Sequence, residues 1–303
     1  MSKWPMLGAT IVLGLLGCGS DSSSTTGPAR TCATDIAVGE VQPFADPLGT
    51  FSEGLTFDGN GALFVSARPT DADDQLLRFA ADGSSEVAAE SESLLGLASH
   101  DDGILAASIE TGELLLIDPE TGSSEVIASE LGEPNFVVTT PWGTTLVSDD
   151  RIGTSIIREV TLEGDVSVWS DGVPTPNGMV FSLDNRTLYV AATFDDPGLW
   201  RVPVSEDGEA GAPEKWVTFE GGVSTPDGVA IDSEGNVYVA LNLKSEIAQV
   251  KPDGTVAIIA QGVASAASIA FGRGEFDPCS IYATSLFGEQ LSRVGIGILG
   301  TEN

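Results

Sequence analysis

The chain repeats one short pattern at an interval of about 40 residues. In its clearest copies an oxygen-bearing residue and a Gly open an apolar run, a polar turn follows, and a second apolar run completes a hairpin; residues 176–192 and 226–241 are such copies. We call the position that opens each first run, just before the Gly in these copies, the anchor. Six anchors are found: Glu53, Leu95, Asn135, Asn177, Asp227 and Ala267.

The interval between anchors indicates the fold. It is 40 to 42 residues in four cases and 50 in one, where an insertion rich in Gly and acidic residues occupies 205–214. A period near 40 that carries about four short strands is typical of propeller blades. We therefore predict an all-β protein, a six-bladed β-propeller over residues 35–298.

The two ends of the repeat region predict how the ring closes. The last blade lacks an obvious fourth strand, and residues 35–44 precede the first blade without a partner of their own. Adding this N-terminal strand to the last blade would cover two exposed strand edges. We therefore expect the N-terminal strand to complete the sixth blade.

The first 34 residues are typical of an exported protein. Residues 1–17 read as a signal peptide whose apolar run is too short to span a bilayer. The run ends at Leu16-Gly17-Cys18, which resembles a lipobox, so Cys18 is the predicted lipidation site and 18–34 a flexible Ser/Thr/Gly linker. An ordinary secretory signal with an incidental Cys is the alternative.

These features predict an exported lipoprotein at the outer membrane, in the periplasm or at the cell surface of a Gram-negative bacterium. Gly19, rather than Asp, follows Cys18, which resembles outer-membrane sorting. Membrane contact would come from the lipid anchor only. Cys32 and Cys279 remain, and in an exported protein we expect two such cysteines to pair. The bridge would lie at the predicted ring closure; two unpaired thiols are the alternative.

The charge of the chain limits its partners. The formal net charge is −32, whereas nucleic-acid binding requires a basic surface. Most of the acidic residues are explained by a solvated acidic surface, but a few of them can face a cation. We expect a monomer with a small-molecule partner and no nucleic acid.

The anchors predict a metal site. The first strand of each propeller blade lines the central channel, so equivalent positions form a ring around the axis. Four anchors carry side-chain oxygens: Glu53, Asn135, Asn177 and Asp227. Such a set suits a hard cation, with Ca²⁺ as first choice and Mn²⁺, Mg²⁺ or Zn²⁺ as alternatives. The competing interpretation takes Asn177-Gly178 and Asp227-Gly228 as hairpin turns, although each repeat has its own turn about seven residues later.

These motifs resemble the senescence-marker-protein/gluconolactonase (regucalcin-like) family and the calcium-dependent lactonase and phosphotriesterase propellers, over roughly residues 35–295. The resemblance rests on 52–54, 134–135, 176–178 with 187–191, and 226–232. It implies Glu53, Asn135, Asn177 and Asp227 as metal ligands, Asn135 as a substrate contact and Asp227 as the general base. Glu133 and Phe136 depart from that pattern, which often has Arg and Asp there.

Two functions from different classes follow. The first is a divalent-metal-dependent hydrolase of lactones or related esters, in which the metal polarises the carbonyl and Asp227 serves as base. The alternative is a non-catalytic, metal-stabilised propeller that serves as a binding or scaffold module, because many propellers are scaffolds.

Overall fold

We describe the fold from a computed structural model of the chain. The described residues are Cys32, 35–45, Leu48, 50–288 and 290–301. The signal peptide (1–17), the lipidation site Cys18 and nearly all of the linker lie outside these residues, and they stay predictions. Among the described residues, no helix is long and apolar enough to cross a membrane.

The described residues form twenty-four short strands and one 3-10 turn, Asn242–Lys244. The first thirteen strands are β1 (Val41–Pro43), β2 (Phe51–Phe57), β3 (Leu63–Arg68), β4 (Asp74–Phe79), β5 (Ser85–Ser91), β6 (Leu97–His100), β7 (Gly103–Ser108), β8 (Glu113–Ile117), β9 (Ser124–Ala128), β10 (Pro134–Thr139), β11 (Thr145–Asp149), β12 (Ile157–Val160) and β13 (Val166–Ser170). The others are β14 (Pro176–Phe181), β15 (Thr187–Ala192), β16 (Gly198–Pro203), β17 (Glu214–Val217), β18 (Pro226–Ile231), β19 (Val237–Leu241), β20 (Glu246–Val250), β21 (Val256–Gln261), β22 (Ala266–Phe271), β23 (Ser280–Ser285) and β24 (Ser292–Gly295).

The strands form six antiparallel sheets of four strands each, which are the blades of a six-bladed β-propeller. Blade 1 has the order β2-β3-β4-β5, and blades 2 to 5 repeat this meander. The second strand of a blade is buried on both faces, as β19 is throughout its length, and it reads as a continuous apolar run. The outer strands carry exposed positions, as in β9. The all-β, six-bladed prediction is confirmed.

The strand directions define two ends of the propeller. Every first strand starts at the same end, which we call the top face, and runs to the opposite end, the bottom face. The loops between second and third strands therefore lie at the top face, and the turns between first and second strands lie at the bottom face. In blade 1 the bottom turn is fastened by Asp58, whose Oδ1 accepts the N–H groups of Asn60 and Ala62.

The hydrophobic core lies between neighbouring blades. Each of six apolar clusters combines side chains from two adjacent sheets. Between blades 5 and 6, for example, Tyr238 meets Phe271 edge-on with ring centroids 5.4 Å apart. Apolar burial of this kind is the main stabilising contribution of the fold, and it makes neighbouring blades depend on one another.

The ring closes as predicted. Strand β1 pairs with β24 and completes blade 6 in the order β1-β24-β23-β22. Only 41–43 of the predicted segment form the strand. A disulfide joins Cys32 to Cys279 at the bottom of this blade, so the predicted bridge is present. Nearby, Arg293 bonds both Asp35 at 2.8 Å and Asp277 at 2.5 Å, which adds a charged link between the first and last segments.

Candidate metal centre

A β-bulge distorts the first strand at five of the six anchors. The pairing with the second strand shifts between Ser52 and Leu55 in blade 1, and at the equivalent positions in blades 3, 4, 5 and 6. A bulge leaves a residue out of the regular alternation and re-aims its side chain. Blade 2 differs, because β6 begins at Leu97, two residues after the anchor Leu95.

The Gly after an anchor lies against the backbone of the next blade. A Cβ atom added at Gly178 would lie 2.3 Å from the carbonyl oxygen of Asp227, and one at Gly228 would lie 2.5 Å from that of Ala267. Gly54 and Gly96 meet their neighbouring blades in the same way. These glycines therefore serve close packing around the axis. Asn177 and Asp227 lie within β14 and β18, so the interpretation of these dipeptides as hairpin turns is wrong.

Hydroxyl side chains fasten the bulges in some blades. Ser66 accepts the N–H of Gly54 at 2.7 Å and donates to the carbonyl of Leu95, the next anchor, at 2.9 Å. Thr284 accepts the N–H of Ser268 at 2.9 Å and donates to the carbonyl of Glu53 at 2.6 Å. Each hydroxyl thus links two consecutive anchors, which restricts movement of the ring.

Glu53 is partly buried, and negative charges lie near its carboxyl. Burial, and next the charge of Asp150, raise its pKa from 4.5 to about 7. The charge of Arg68 and a hydrogen bond from Asn135 act in the opposite direction. Arg68 is itself engaged by Asp74 at 3.1 Å. Glu53 therefore lacks the close positive partner that a buried carboxylate requires.

Asp227 is also a carboxyl among negative charges. It is only 6% exposed. Burial, followed by the charges of Glu53 and Asp150, raises its pKa well above 3.8. Asn242, in the 3-10 turn after β19, donates to the carbonyls of Ser265 and Ala266 and places its Nδ2 3.5 Å from Asp227 Oδ2. Asn242 thus helps to orient this carboxyl, a contact that the anchor pattern did not reveal.

A third carboxyl joins the site from outside the anchor ring. Asp150 follows β11 in the top loop of blade 3, and its charge acts on both Glu53 and Asp227. Burial, then the charges of Asp149 and Glu133, raise its pKa to about 6, while a hydrogen bond from Asn135 lowers it. Sequence reasoning missed Asp150; its place after a second strand that is buried throughout was the available signal.

The amide anchors complete the oxygen set. Asn135 and Asn177 are 6% and 3% exposed. Asn177 Oδ1 is buried without a hydrogen-bond partner, and an unpartnered buried oxygen is costly unless something is bound to it. The described residues contain no group of three or more Asp, Glu, His or Cys side chains arranged to hold a metal by themselves. Here two amides complement two carboxylates, and oxygen-only donors with two charges fit Ca²⁺ or another hard cation.

The remaining anchors are apolar. Leu95 is 2% and Ala267 0% exposed. Beneath the anchors lies a cavity of ≈ 320 Å³ with a mixed lining, which includes the apolar Leu55 and Val137 and the polar Ser99 and Arg273. His100 lies at the bottom of blade 2, where its Nδ1 accepts the N–H of Asp102 at 3.1 Å, so it is remote from the anchors.

Residues 51–285 match the family described as the SMP-30/Gluconolactonase/LRE-like region. The chain belongs to this family. Of the two residues that depart from the resemblance, Glu133 contributes to the raised pKa of Asp150, whereas Phe136 packs against the apolar cluster between blades 3 and 4.

Known relatives agree with this assignment. The chain is 26% identical to pentonolactonase XacC of Haloferax volcanii over 221 residues, which are 71% of this chain and 75% of that protein. The calcium-binding protein regucalcin of Agrobacterium tumefaciens has a TM-score of 0.72 and 21% identity, over 88% of this chain and 96% of that one. A gluconolactonase of Xanthomonas campestris has a TM-score of 0.70 and 16% identity, over 91% and 98%. At these identities the two structures support the fold alone.

Proposed function

We propose that the protein is a divalent-metal-dependent hydrolase of lactones or related esters. Two observations carry the proposal: the charge of Glu53 acts on the buried carboxyl of Asp227, and Asn177, at the equivalent strand position of blade 4, has a buried Oδ1 without a hydrogen-bond partner. Two carboxyls in this position repel each other, and a cation relieves both the repulsion and the unpaired oxygen. Membership in a lactonase-like family, with a pentonolactonase among its relatives, supports the reaction class.

In this proposal Glu53, Asn135, Asn177 and Asp227 would hold the ion, with Ca²⁺ as the first choice. When bound, a divalent cation supplies Lewis acidity toward a substrate carbonyl and lowers the pKa of neighbouring carboxyls. Asp227 would take a proton from the attacking water as the water oxygen bonds to the carbonyl carbon. The ring C–O bond then breaks, and the proton passes to the departing alkoxide, which gives a hydroxy acid. Asp227 thus ends in its starting protonation state, and the net reaction consumes one water.

The other polar groups would position these atoms. Asn135 interacts with both Glu53 and Asp150, so its amide is suited to hold a substrate oxygen between them. Asn242 limits the rotation of the Asp227 carboxyl through its own bonds to two backbone carbonyls. A carboxyl in one fixed orientation is a better base, because its lone pair is already directed toward the water.

The test is an activity panel on purified residues 31–303. Pentono- and gluconolactones, alkyl lactones, aryl esters and phosphotriesters would be assayed with Ca²⁺, Mn²⁺, Mg²⁺ or chelator. We expect lactone hydrolysis that requires metal and falls at least about a thousandfold in Asp227→Asn, while Asp253→Asn, in an exposed turn, keeps full activity. A folded wild type that binds metal and hydrolyses nothing would instead support the scaffold function.

A further inference from the structure

Large apolar side chains are exposed around the entrance to the candidate site. Ile152, Phe194, Leu243 and Phe287 are 70%, 50%, 59% and 63% exposed. We call these four residues the rim. Each lies in the top loop between the second and third strands of its blade, in blades 3, 4, 5 and 6 respectively. Single exposed apolar residues are ordinary, whereas large exposed apolar patches mark interaction or ligand sites. The four rim residues lie on one face, in four consecutive blades.

The exposed aromatic rings are confined to this face. Among the large apolar side chains that are exposed in the described residues, the aromatic ones are Phe51, Phe194 and Phe287. Phe51 opens β2, so it also lies at the top face. The bottom face exposes aliphatic residues such as Leu162 and Leu183. The two ends of the propeller therefore differ in their apolar surface.

Hydrogen bonds attach the rim loops to the anchor strands. The N–H of Phe194 donates to Thr175 Oγ1 at 3.0 Å, and the N–H of Leu243 donates to Thr225 Oγ1 at 3.0 Å. In blade 6 the N–H of Leu286, next to Phe287, donates to the Ser265 carbonyl at 3.0 Å. The three acceptors each stand two residues before an anchor, with φ of 41°, 40° and 43°.

This repeated attachment fixes the distance between rim and ring. The same backbone bond recurs in three blades at the same offset from the anchor. The N–H groups of Thr193, Asn242 and Leu286 donate to the carbonyls of Thr175, Thr225 and Ser265 respectively. The blade 3 loop is attached to the neighbouring blade 4 loop instead, because the N–H of Gly153 donates to Asp195 Oδ2 at 3.0 Å. The rim is therefore held close above the candidate site by its own backbone.

The charges near the entrance disfavour anionic ligands. Among the basic side chains near the top face, Arg68 is held by Asp74 and Glu110 at 3.1 Å, and Lys215 is held by Asp196 at 2.6 Å. Lys244, next to Leu243, donates to the carbonyl of Glu220. Arg151 lies 3.9 Å from Asp149. The acids Glu133 and Asp150 remain beside the site. An anionic substrate would meet repulsion here, and an uncharged one would not.

A lipid surface is the other possible occupant of an apolar rim. The charge of the entrance disfavours it, because the acidic side chains there would be repelled by anionic lipid headgroups.

We propose that the rim binds the hydrocarbon part of the substrate, so that the preferred substrates are uncharged lactones that carry an alkyl or aryl side chain. This inference rests on the proposed hydrolase function. Polyhydroxylated and anionic lactones would not cover the apolar side chains of the rim, so they would gain no binding free energy from it. Phe194 and Leu243 are the specificity-determining residues, because their N–H groups are hydrogen-bonded to the residues that stand two positions before Asn177 and Asp227.

The experiment measures kcat/KM for γ-lactones of increasing side-chain length, from γ-valerolactone to γ-undecalactone, and for glucono- and pentonolactones. A methylene that becomes buried contributes up to about fourfold, so we expect an increase of at least roughly tenfold along the alkyl series. Phe194→Ser and Leu243→Ser should each lower the long-to-short ratio about threefold or more. Leu183→Ser, at 47% exposure on the bottom face, is the matched control and should not change the ratio.

The failures of the two proposals are distinguishable. Lactone hydrolysis without a chain-length preference, or with a preference for sugar lactones, overturns the rim assignment and leaves the hydrolase function standing. If no lactone is hydrolysed, the hydrolase function fails. Calorimetric binding of the uncharged lactam N-octyl-2-pyrrolidone then tests whether the rim binds hydrocarbon chains. Binding that is lost in Phe194→Ser and kept in Leu183→Ser supports it, and absence of binding overturns it.

Vesicle sedimentation tests whether the rim contacts a lipid surface instead. Purified residues 31–303 would be sedimented with phosphatidylcholine vesicles. If the rim variants reduce sedimentation but leave the long-to-short ratio unchanged, the rim contacts lipid and our proposal is wrong. We expect no sedimentation of the wild type.

Discussion

Two carboxyl groups, Glu53 and Asp227, dominate the chemistry at the scale of single residues. Burial raises the pKa of each of these carboxyls, and the charge of Glu53 raises the pKa of Asp227 further. Asp150 adds a third negative charge from the blade 3 loop. In the absence of a cation this cluster destabilises the folded protein, so its cost is measurable without any substrate.

The stability of the metal-free protein should fall as pH rises through the range in which Glu53 titrates. Its pKa is about 7 in the folded protein against 4.5 for an ordinary Glu. Between these values the folded state holds more protons than the unfolded chain, so this group lowers the free energy of unfolding as pH rises. In chelator, the wild type should lose several degrees more of melting temperature from pH 5.5 to 7.5 than Glu53→Gln does. Equal losses would contradict the assignment.

Removing the charge of Asp150 should have opposite effects on stability and on cation binding. Asp150→Asn relieves repulsion with Glu53 and Asp227, so the metal-free protein should gain about 1 kcal/mol of stability at pH 7.5. The affinity for Ca²⁺ should fall, because the site loses negative charge. Chemical denaturation in chelator and calorimetric titration measure the two effects. Asp171→Asn makes the same charge change at an exposed position and should alter neither; changes of the same sign in both measurements would argue against this role.

The repeat pattern predicted the anchors but not their neighbours. Glu53, Asn135, Asn177 and Asp227 occupy equivalent strand positions, so aligning the first strands was sufficient to find them. Asp150 and Asn242 occupy equivalent places, each directly after the second strand of its blade, β11 and β19 respectively. The aligned pattern ended with the second apolar run, so it did not include them.

At the scale of the strand, close approach of neighbouring first strands positions the ring. The Gly that follows an anchor leaves room for the carbonyl of the next blade, and a bulge re-aims the anchor side chain. The sequence predicted this close approach from the glycines. It did not predict that β6 would start only at Leu97. Leu95-Gly96 has the same pattern, an anchor followed by Gly, as the first strands of other blades.

An Ala at Gly228 should disturb both the fold and the ring. The added Cβ would lie 2.5 Å from the carbonyl oxygen of Ala267 and 2.6 Å from Cα of Ser268, so the backbone has to shift. We expect Gly228→Ala to cost about 1–3 kcal/mol of stability and to weaken Ca²⁺ binding. Gly59→Ala is the matched control, since its Cβ would meet nothing within 4 Å, and it should remain within about 0.5 kcal/mol of the wild type. Equal stability of the two variants would refute this packing role.

At the scale of the whole molecule, the ring is held by pairing of the first and last segments. Strand β1 completes blade 6, the Cys32–Cys279 bond spans 247 residues, and Arg293 joins Asp35 to Asp277. Strand count and the two leftover cysteines predicted this closure from sequence. The Arg293 link was not predictable, because it joins residues 258 apart.

Loss of the disulfide should destabilise the whole propeller. The bond closes nearly the full ring, and removing a bond of this kind typically costs about 2–5 kcal/mol. Cys32→Ser with Cys279→Ser should therefore unfold at lower urea concentration than the wild type, and reductant should shift the wild type but not the variant. An unchanged midpoint in both comparisons would show that β1 pairing alone secures the ring.

A calorimetric titration of Ca²⁺ into chelator-treated residues 31–303 at pH 7.5 would show whether the anchors bind a cation. The predicted result is one binding site per chain, with binding abolished in the double variant Glu53→Gln/Asp227→Asn, strongly weakened in Asn177→Leu and retained in Asp253→Asn. Absence of binding in the wild type, or binding that persists unchanged in the double variant, would contradict the account, because the anchor ring would then not be a cation site.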